Sequence, residues 1–179
     1  SMITKSNGAD GIPAVREILG ELVSMEAAFA GLIDGQLHAM EQAGNGYVRV
    51  NRRYMYAAVN YAVEHYAKIC DQIRTLMGGG TFQMPASIDV IEDESLASDF
   101  ETYWSTGDET AVERMKLFRL AWDMLGSEFA MRHDQYEKFY FGQRFVVRNF
   151  NHLHAPWYEF EELVCNIMDA YNAPAGHTS

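Results

Sequence analysis

The chain of 179 residues is long enough for one domain with its own core, and a hydrophobic content of 48% excludes a disordered protein. A net charge of −11 disfavours nucleic acid and anionic membrane surfaces as partners, because an acidic surface repels phosphate groups. No apolar run approaches the roughly 20 residues that a membrane-spanning helix needs.

The ends of the sequence and its two cysteines indicate how the protein is organised. Residues 1–2 are interpreted as the remnant of a cleaved tag, residues 3–172 as the folded domain and residues 173–179 as a flexible tail. The polar start of the chain has no features of a signal peptide. Cys70 and Cys165 lack a short spacing, which disfavours a disulfide scaffold or a zinc site. We therefore expect a cytoplasmic protein.

Two long helices are predicted in the first half of the chain. Pro13 suits the first position of a helix, and apolar residues follow at helical spacing to about Met40. Residues 44–46 (Gly-Asn-Gly) break this pattern, and "YVRV" at 47–50 is expected to be a short extended piece. A second helix ends at the glycines that follow Met77. The two apolar stripes are Val15, Ile18, Leu22, Phe29, Ile33 and Leu37, then Met55, Val59, Ala62, Tyr66, Ile69, Ile73 and Leu76.

The second half is predicted to contain a short helix that ends near Gly107, then a third long helix. The long helix starts near Asp108, and Gly126 lies in its middle. Because its apolar residues occupy more than one face, we expect it to be central in the fold. Pro156 can open a last helix, whose first turns are acidic. The apolar positions are Leu96, Phe100 and Tyr103, then Met115, Phe118, Trp122, Leu125, Phe129, Tyr136 and Tyr140, and finally Phe160, Leu163, Ile167 and Tyr171.

These elements predict an all-α fold, an antiparallel helix bundle. Within it, "MGGGTFQMPAS" at 77–87 is unusual, since one glycine suffices to end a helix and three are present. Backbone N–H groups without side chains suit a pyrophosphate or another anion. The alternative is a plain helix cap and turn. The predicted cofactor-binding residues here are Gly78, Gly79, Gly80, Thr81, Gln83 and Ser87, whereas Phe82 and Met84 are interpreted as packing residues.

The segment that begins with Gly126 and Ser127 places charged residues among apolar ones. Glu128 and Arg132 are four residues apart, in the order that favours an ion pair on a helix. One interpretation is a buried, mutually satisfied pair that fixes helix packing. The other is a polar wall that faces a cofactor, and it makes Ser127 and Arg132 further candidates for cofactor binding.

No metal site is predicted. His152 and His154 have neither a nearby third ligand nor a cysteine partner, and a loop that leads into the last helix accounts for them better. His65 is interpreted as a half-buried helix histidine.

Two motifs together resemble a known family. "GGGTFQMPAS", followed further along by "ERMKLFRLAWDMLGSEFAMRHDQYEKFYFG", is similar to the C-terminal region of the 4-hydroxyphenylacetate 3-hydroxylase family, which comprises two-component flavin-dependent aromatic monooxygenases. "GIPAVREILGELVSMEAAFAGLI" extends the resemblance over nearly the whole chain, and it is strongest from 77 to 142.

The resemblance implies the C-terminal helical domain of a protein built like the acyl-CoA dehydrogenases. It implies FAD as cofactor, used as FADH2 from a separate flavin reductase, and ortho-hydroxylation of a phenolic substrate with O2. It also implies a homo-oligomer, either a dimer or a tetramer, and a glycine loop at the border of the flavin site. The catalytic residues would lie in domains that this chain lacks, so we expect the chain to be part of a larger enzyme and inactive alone.

Two alternatives stay open. One family branch, the 4-hydroxybutyryl-CoA dehydratases, holds an iron–sulfur cluster, but the spacing of His65 and Cys70 does not match its ligands. The other alternative is a non-catalytic helical dimerisation module.

Overall fold

Helices make up nearly all of the regular structure, as the sequence predicts. The computed structural model describes residues 1–171, so the expected tail at 173–179 lies outside the described residues. Among the described residues, no helix has both the length and the apolar character needed to cross a membrane. The elements in chain order are α1 (Met2–Ser6), α2 (Pro13–His38), β1 (Glu41–Gly44), β2 (Tyr47–Arg49), α3 (Arg52–Met77), α4 (Gly80–Gln83), a 3₁₀ turn (Ile88–Ile91), α5 (Glu94–Trp104), α6 (Ala111–Leu125), α7 (Glu128–Tyr140), α8 (Arg144–Leu153) and α9 (Trp157–Ala170).

The two long helices α2 and α3 pack against each other and are joined by a hairpin. Pro13 is the first residue of α2, as predicted, and the Asn51 side chain caps α3 by accepting a hydrogen bond from the Tyr54 amide at 3.2 Å. Gly35 lets the helices approach closely, because a Cβ there would lie 3.1 Å from the Tyr54 ring. The extended piece at 47–50 is confirmed as β2, which pairs with β1, a strand that the sequence patterns did not reveal.

The core lies where α5 and α6 meet the end of α3. Phe118 is fully buried and meets the Trp104 ring edge-on, with the centroids 5.9 Å apart. The Arg114 guanidinium lies over both rings, at 5.0 Å from Trp104 and 5.3 Å from Phe118. The buried members of this core are Met77, Phe100, Trp104, Ala111, Met115, Phe118 and Ala121.

The prediction of one long helix from Asp108 to Tyr140 is wrong. The segment forms two helices, and the first of them, α6, starts at Ala111, where Thr110 and Glu113 form a capping box. It ends at Gly126, and α7 begins directly after Ser127, whose hydroxyl accepts a hydrogen bond from the Ala130 amide at 3.1 Å. A glycine followed by serine supplies a helix stop and a helix start in succession, so Gly126 is not a mid-helix residue.

The expectation that this segment is central is also wrong for α7. Only Ala130 of this helix is buried, whereas Phe129 and Phe139 are 74% and 83% exposed. The Glu128–Arg132 pair does form, at 2.6 Å, but its side chains are 80% and 78% exposed, so it is not the buried pair of the packing interpretation.

Helix α8 was not predicted, and it packs along α3. The Arg148 side chain pairs with Glu64 of α3, and the Arg144 guanidinium donates a hydrogen bond to the Val63 carbonyl at 3.5 Å. The hydrogen bond from Arg148 is the main reason why the pKa of Glu64 lies below its usual value.

Candidate functional site

The three glycines after α3 have three different structural roles. Gly78 ends α3 with φ 57° and ψ −142°, a conformation that a side chain disfavours. Gly79 has ordinary helical angles and precedes α4. Gly80 is buried, and a Cβ on it would lie 2.2 Å from the Phe118 ring. Gly80 is therefore a packing residue at the place where α4 meets α6, and it does not face a cofactor site.

Gly78 borders an open groove between the start of α4 and the end of α6, which we call the Gly78 groove. Its volume is about 520 Å³, within the range of small-molecule sites. It is lined by Arg74, Met77, Gly78, Thr81, Phe82, Trp122, Leu125 and Gly126. The break between α6 and α7 thus forms one wall, and the glycine loop forms the other.

The Gly78 groove contains a few polar groups among apolar and aromatic walls. Thr81 Oγ1 is buried and has no hydrogen-bond partner within residues 1–171. Arg74 crosses the groove and donates a hydrogen bond to the Leu125 carbonyl. The rings of Phe82 and Trp122 are 92% and 42% exposed. This lining combines two aromatic rings with one positive charge, a combination that suits a planar aromatic ligand with an acidic group.

Of the residues predicted for the glycine loop, Gly78 and Thr81 line this groove. Gly79 is exposed, and Gln83 lies beside it, 3.8 Å from where a Gly79 Cβ would be. Ser87 instead caps the 3₁₀ turn by accepting a hydrogen bond from the Asp89 amide at 3.2 Å. The loop that leads to Ser87 is held by Arg119, which donates hydrogen bonds to the carbonyls of residues 85 and 86 at 3.1 and 2.6 Å.

The two cofactor-binding candidates near the start of α7, Ser127 and Arg132, lie on different surfaces. Ser127 adjoins the groove residue Gly126, and its hydroxyl donates a hydrogen bond to the Asp123 carbonyl at 2.7 Å. Arg132 lies outside the Gly78 groove, on an exposed face of α7 beside Met131 and Tyr136.

Sequence reasoning missed several residues of the groove. Phe82 does not pack in the interior as expected, whereas Met84 does pack against the core. Sequence patterns do not distinguish Trp122 and Arg74, because each occupies a regular position of a helix. The sequence does contain one signal for Trp122, which is the glycine four residues after it. Gly126 makes room for the indole, because a Cβ on Gly126 would lie 2.9 Å from the Trp122 ring. Within residues 1–171, no cluster of three or more potential ligand residues could hold a metal ion.

Comparison with known proteins gives the same family as the two motifs. The family model described as "4-hydroxyphenylacetate 3-hydroxylase C terminal" matches residues 1–169. The oxygenase component of 4-nitrophenol 2-monooxygenase from Rhodococcus sp is 28% identical over 142 residues, which cover 79% of this chain and 27% of that protein.

Two solved structures share the fold. The oxygenase component (HpaB) of 4-hydroxyphenylacetate 3-monooxygenase, complexed with FAD and 4-hydroxyphenylacetate, has a TM-score of 0.81 at 23% identity and covers 91% of this chain and 34% of that one. A 4-hydroxybutyryl-CoA dehydratase from N. maritimus has a TM-score of 0.78 at 12% identity and covers 99% of this chain and 35% of that one. The predicted all-α bundle fold is thereby confirmed. The chain spans about a third or less of the proteins it matches. With 169 of its residues matched by the family model, the chain belongs to the 4-hydroxyphenylacetate 3-hydroxylase family, in its C-terminal domain.

Proposed function

We propose that the chain is the flavin-site and oligomerisation domain of an FADH2-dependent monooxygenase that hydroxylates a phenolic substrate ortho to its hydroxyl group with O2. The observation that carries the proposal is the Gly78 groove, open beside the glycine loop, in a chain of this family. A relative named as a nitrophenol monooxygenase and a fold relative solved with FAD and 4-hydroxyphenylacetate support it. Since the chain spans 27% of the nitrophenol relative, the activity would belong to a longer polypeptide, and this chain would be inactive alone.

The residues of the Gly78 groove fit a flavin. Thr81 Oγ1 is a buried polar atom without a partner among the described residues, so a rotation of this side chain towards a flavin bound in the groove would give the hydroxyl the partner it lacks. Phe82 and Trp122 offer exposed ring faces for a planar group, and Arg74 offers positive charge for a phosphate. A reduced flavin would supply the electrons that activate O2. The role of this chain would be to bind one side of the cofactor and keep water from it.

The proposal includes partners that act on the longer protein. FADH2 would come from a separate reductase, the substrate would be a phenol, and the protein would assemble as a homo-oligomer in the cytoplasm. One shallow groove exposes most of a bound flavin to solvent, and a reactive reduced flavin needs exclusion of water. We therefore expect the 179-residue chain to bind FAD weakly and the longer polypeptide to bind it tightly.

The test compares two threonine variants in the longer polypeptide of which this chain would be part. Thr81→Val keeps the shape of the side chain and removes the hydroxyl. It should weaken FAD binding about two- to tenfold, the effect of losing one hydrogen bond. Thr102→Val is the matched control, because Thr102 is exposed on α5 and its hydroxyl bonds only within that helix, to the Ser98 carbonyl at 2.8 Å. Equal FAD affinity of the two variants in a fluorescence titration would contradict the proposed site.

A second candidate function is a dehydratase domain that acts on a CoA thioester. It is favoured by the fold similarity to the 4-hydroxybutyryl-CoA dehydratase, which extends over 99% of this chain. Analysis of the longer polypeptide for iron separates the two candidates: an iron-free protein that consumes O2 with a phenol and FADH2 supports the monooxygenase, and stoichiometric iron supports the dehydratase.

A further inference from the structure

The Asn7 side chain connects the first segment of the chain to the end of α3. Its amide nitrogen donates hydrogen bonds to the carbonyls of Leu76 and Met77 at 3.3 and 3.2 Å, although 69 and 70 residues separate them in sequence. These are the last two residues of α3, and the terminal carbonyls of a helix have no partner within the helix. Gly78, at the border of the Gly78 groove, follows directly. The contact therefore acts on the backbone at the point where it enters the groove.

Arg114 of α6 fixes the orientation of the Asn7 amide. Its guanidinium donates a hydrogen bond to Asn7 Oδ1 at 3.0 Å. A guanidinium only donates and a carbonyl only accepts, so the oxygen of Asn7 must face Arg114 and the nitrogen must face the carbonyls of α3. Since Arg114 is charged, this bond is stronger than one between neutral groups.

Both ends of the glycine loop are held through the same guanidinium. Asn7 connects Arg114 to the carbonyls that precede Gly78. Gly80 packs on the Phe118 ring, whose centre lies 5.3 Å from the guanidinium carbon. A second hydrogen bond, to the Trp104 carbonyl at 3.2 Å, keeps the guanidinium in place. The backbone between these two anchors is the part of the loop that borders the groove.

The backbone that carries Asn7 is fixed independently of its side chain. Helix α1 ends in a Schellman motif, in which the Gly8 amide donates to the Lys5 carbonyl and the Ala9 amide donates to the Thr4 carbonyl, both at 2.8 Å. Asn7 itself has φ −88° and ψ −1°, angles that most residues adopt in a turn. Asn7→Ala should therefore remove the side-chain bonds and leave α1 as it is.

We propose that Asn7 is a positioning residue for the Gly78 groove and that Arg114 positions Asn7. The inference rests on the proposed function, because it assigns to the flavin site a residue that does not line the groove and acts on it through the backbone of α3. Without the Asn7 amide, the groove has its binding arrangement for a smaller fraction of the time, and the apparent affinity for a ligand falls by that fraction.

The first test measures amide hydrogen exchange in the 179-residue chain without flavin. The reporter is the Gly78 amide, which donates to the Thr75 carbonyl at 3.2 Å. Asn7→Ala should raise its exchange rate about five- to thirtyfold, the effect of losing the bonds that hold this end of α3. The Met55 amide at the other end of α3, bonded to the Asn51 carbonyl at 3.0 Å, should exchange as in wild type.

Asn51→Ala is the matched control, since it removes the same kind of side chain from the opposite end of the same helix. Asn51 donates a hydrogen bond to the Ala39 carbonyl at 3.1 Å and accepts one from the Tyr54 amide at 3.2 Å. This variant should raise exchange at Met55 and leave Gly78 unchanged. Faster exchange at Gly78 in both variants would show a general loss of stability and overturn the inference.

Two further variants test the direction of the hydrogen bonds. Asn7→Asp keeps an acceptor for Arg114, but an ionised aspartate cannot donate to the α3 carbonyls, so exchange at Gly78 should rise as in Asn7→Ala. Arg114→Lys keeps the charge and lacks the planar fork, so in this background Asn7→Ala should add less than it does in wild type. Wild-type exchange in Asn7→Asp, or equal effects of Asn7→Ala in the two backgrounds, would each contradict the proposed bridge.

The second test measures FAD affinity in the longer polypeptide by fluorescence titration. Asn7→Ala should raise the dissociation constant about threefold or more relative to Asn51→Ala, although each variant loses the hydrogen bonds of one half-buried asparagine. Equal affinity of the two variants, or unchanged Gly78 exchange in Asn7→Ala, would overturn the inference. A wild-type polypeptide that binds no FAD would instead refute the proposed function, and the exchange rates of the flavin-free chain would still decide whether Asn7 positions the groove.

Discussion

Replacing Gly80 by alanine tests whether the third glycine of the loop is needed for the fold itself. A Cβ at this position would lie 2.2 Å from Phe118 Cε1 and 2.7 Å from Cζ. Carbon atoms in contact normally stay about 3.5 Å apart or more, so the ring or helix α4 must move by more than about 1 Å. Phe118 has 0% exposure, so the ring has no open space to enter.

The expected cost of Gly80→Ala is about 1–3 kcal/mol of unfolding free energy, the range for overpacking a tight core. The higher helix propensity of alanine offsets at most about 1 kcal/mol of this. A net loss of roughly 1–2 kcal/mol follows. It should be measurable in the absence of any flavin, by urea unfolding followed by circular dichroism at one fixed protein concentration.

The two neighbouring glycines are the matched controls. Gly79→Ala introduces no clash, since the nearest atoms belong to Gln83 at 3.8 Å and φ is −70°, so it should stabilise the chain by about 0.4–1 kcal/mol. Gly78→Ala meets no atom within 4 Å, but it has φ 57°, so its cost of about 1–3 kcal/mol comes from backbone strain alone.

A second substitution distinguishes the side-chain clash at Gly80 from the backbone strain at Gly78. In a Phe118→Leu background, the cost of Gly80→Ala should shrink by about 1 kcal/mol, because the clashing ring atoms are gone, whereas the cost of Gly78→Ala should not change. Equal stability of Gly80→Ala and Gly79→Ala, or no coupling between Gly80 and Phe118, would refute the packing argument.

Two further predictions concern helix ends and pH. Thr110→Ala removes the capping hydroxyl that accepts a hydrogen bond from the Glu113 amide at 3.2 Å, and it should cost about 1 kcal/mol in urea unfolding, whereas Thr102→Ala in the exposed last turn of α5 should cost far less. The pKa of Glu64 is lowered from 4.5 by Arg148, so its contribution to stability is complete above that value and is lost as pH falls through the lowered pKa. Urea midpoints measured from about pH 6 down to pH 3 should therefore fall less steeply for Arg148→Met than for wild type, and parallel curves would show that the pair contributes nothing.

Local sequence signals located most helix ends correctly because the chemistry of a cap is local. Pro13 begins α2, the glycine after Met77 ends α3, and the Gly-Asn-Gly turn separates the first helix from the second. The same local rules account for the failure at Gly126. A glycine inside a helix and a glycine that ends a helix give the same local pattern. The two cases differ here only because Ser127, which follows Gly126, is the N-cap of a new helix.

The candidate site residues show which contacts local sequence patterns do not reveal. Gly78 and Thr81 of the glycine motif line a groove, while Ser87 caps a turn and Arg132 lies on another face. Their roles in binding stay predictions. Trp122 belongs to the groove through its position on α6, about forty residues after Thr81, and no spacing within either segment indicates that the two meet.

Periodicity, caps and family motifs were sufficient to establish an all-α member of this family, because they depend on residues only a few positions apart. Which apolar faces are covered, which glycine meets Phe118 and which polar atom is left without a partner depended on contacts between distant segments. These contacts are set by how helices pack, and α7 and α9 show the consequence: their apolar stripes predict a buried helix, yet most of each stripe is exposed among residues 1–171.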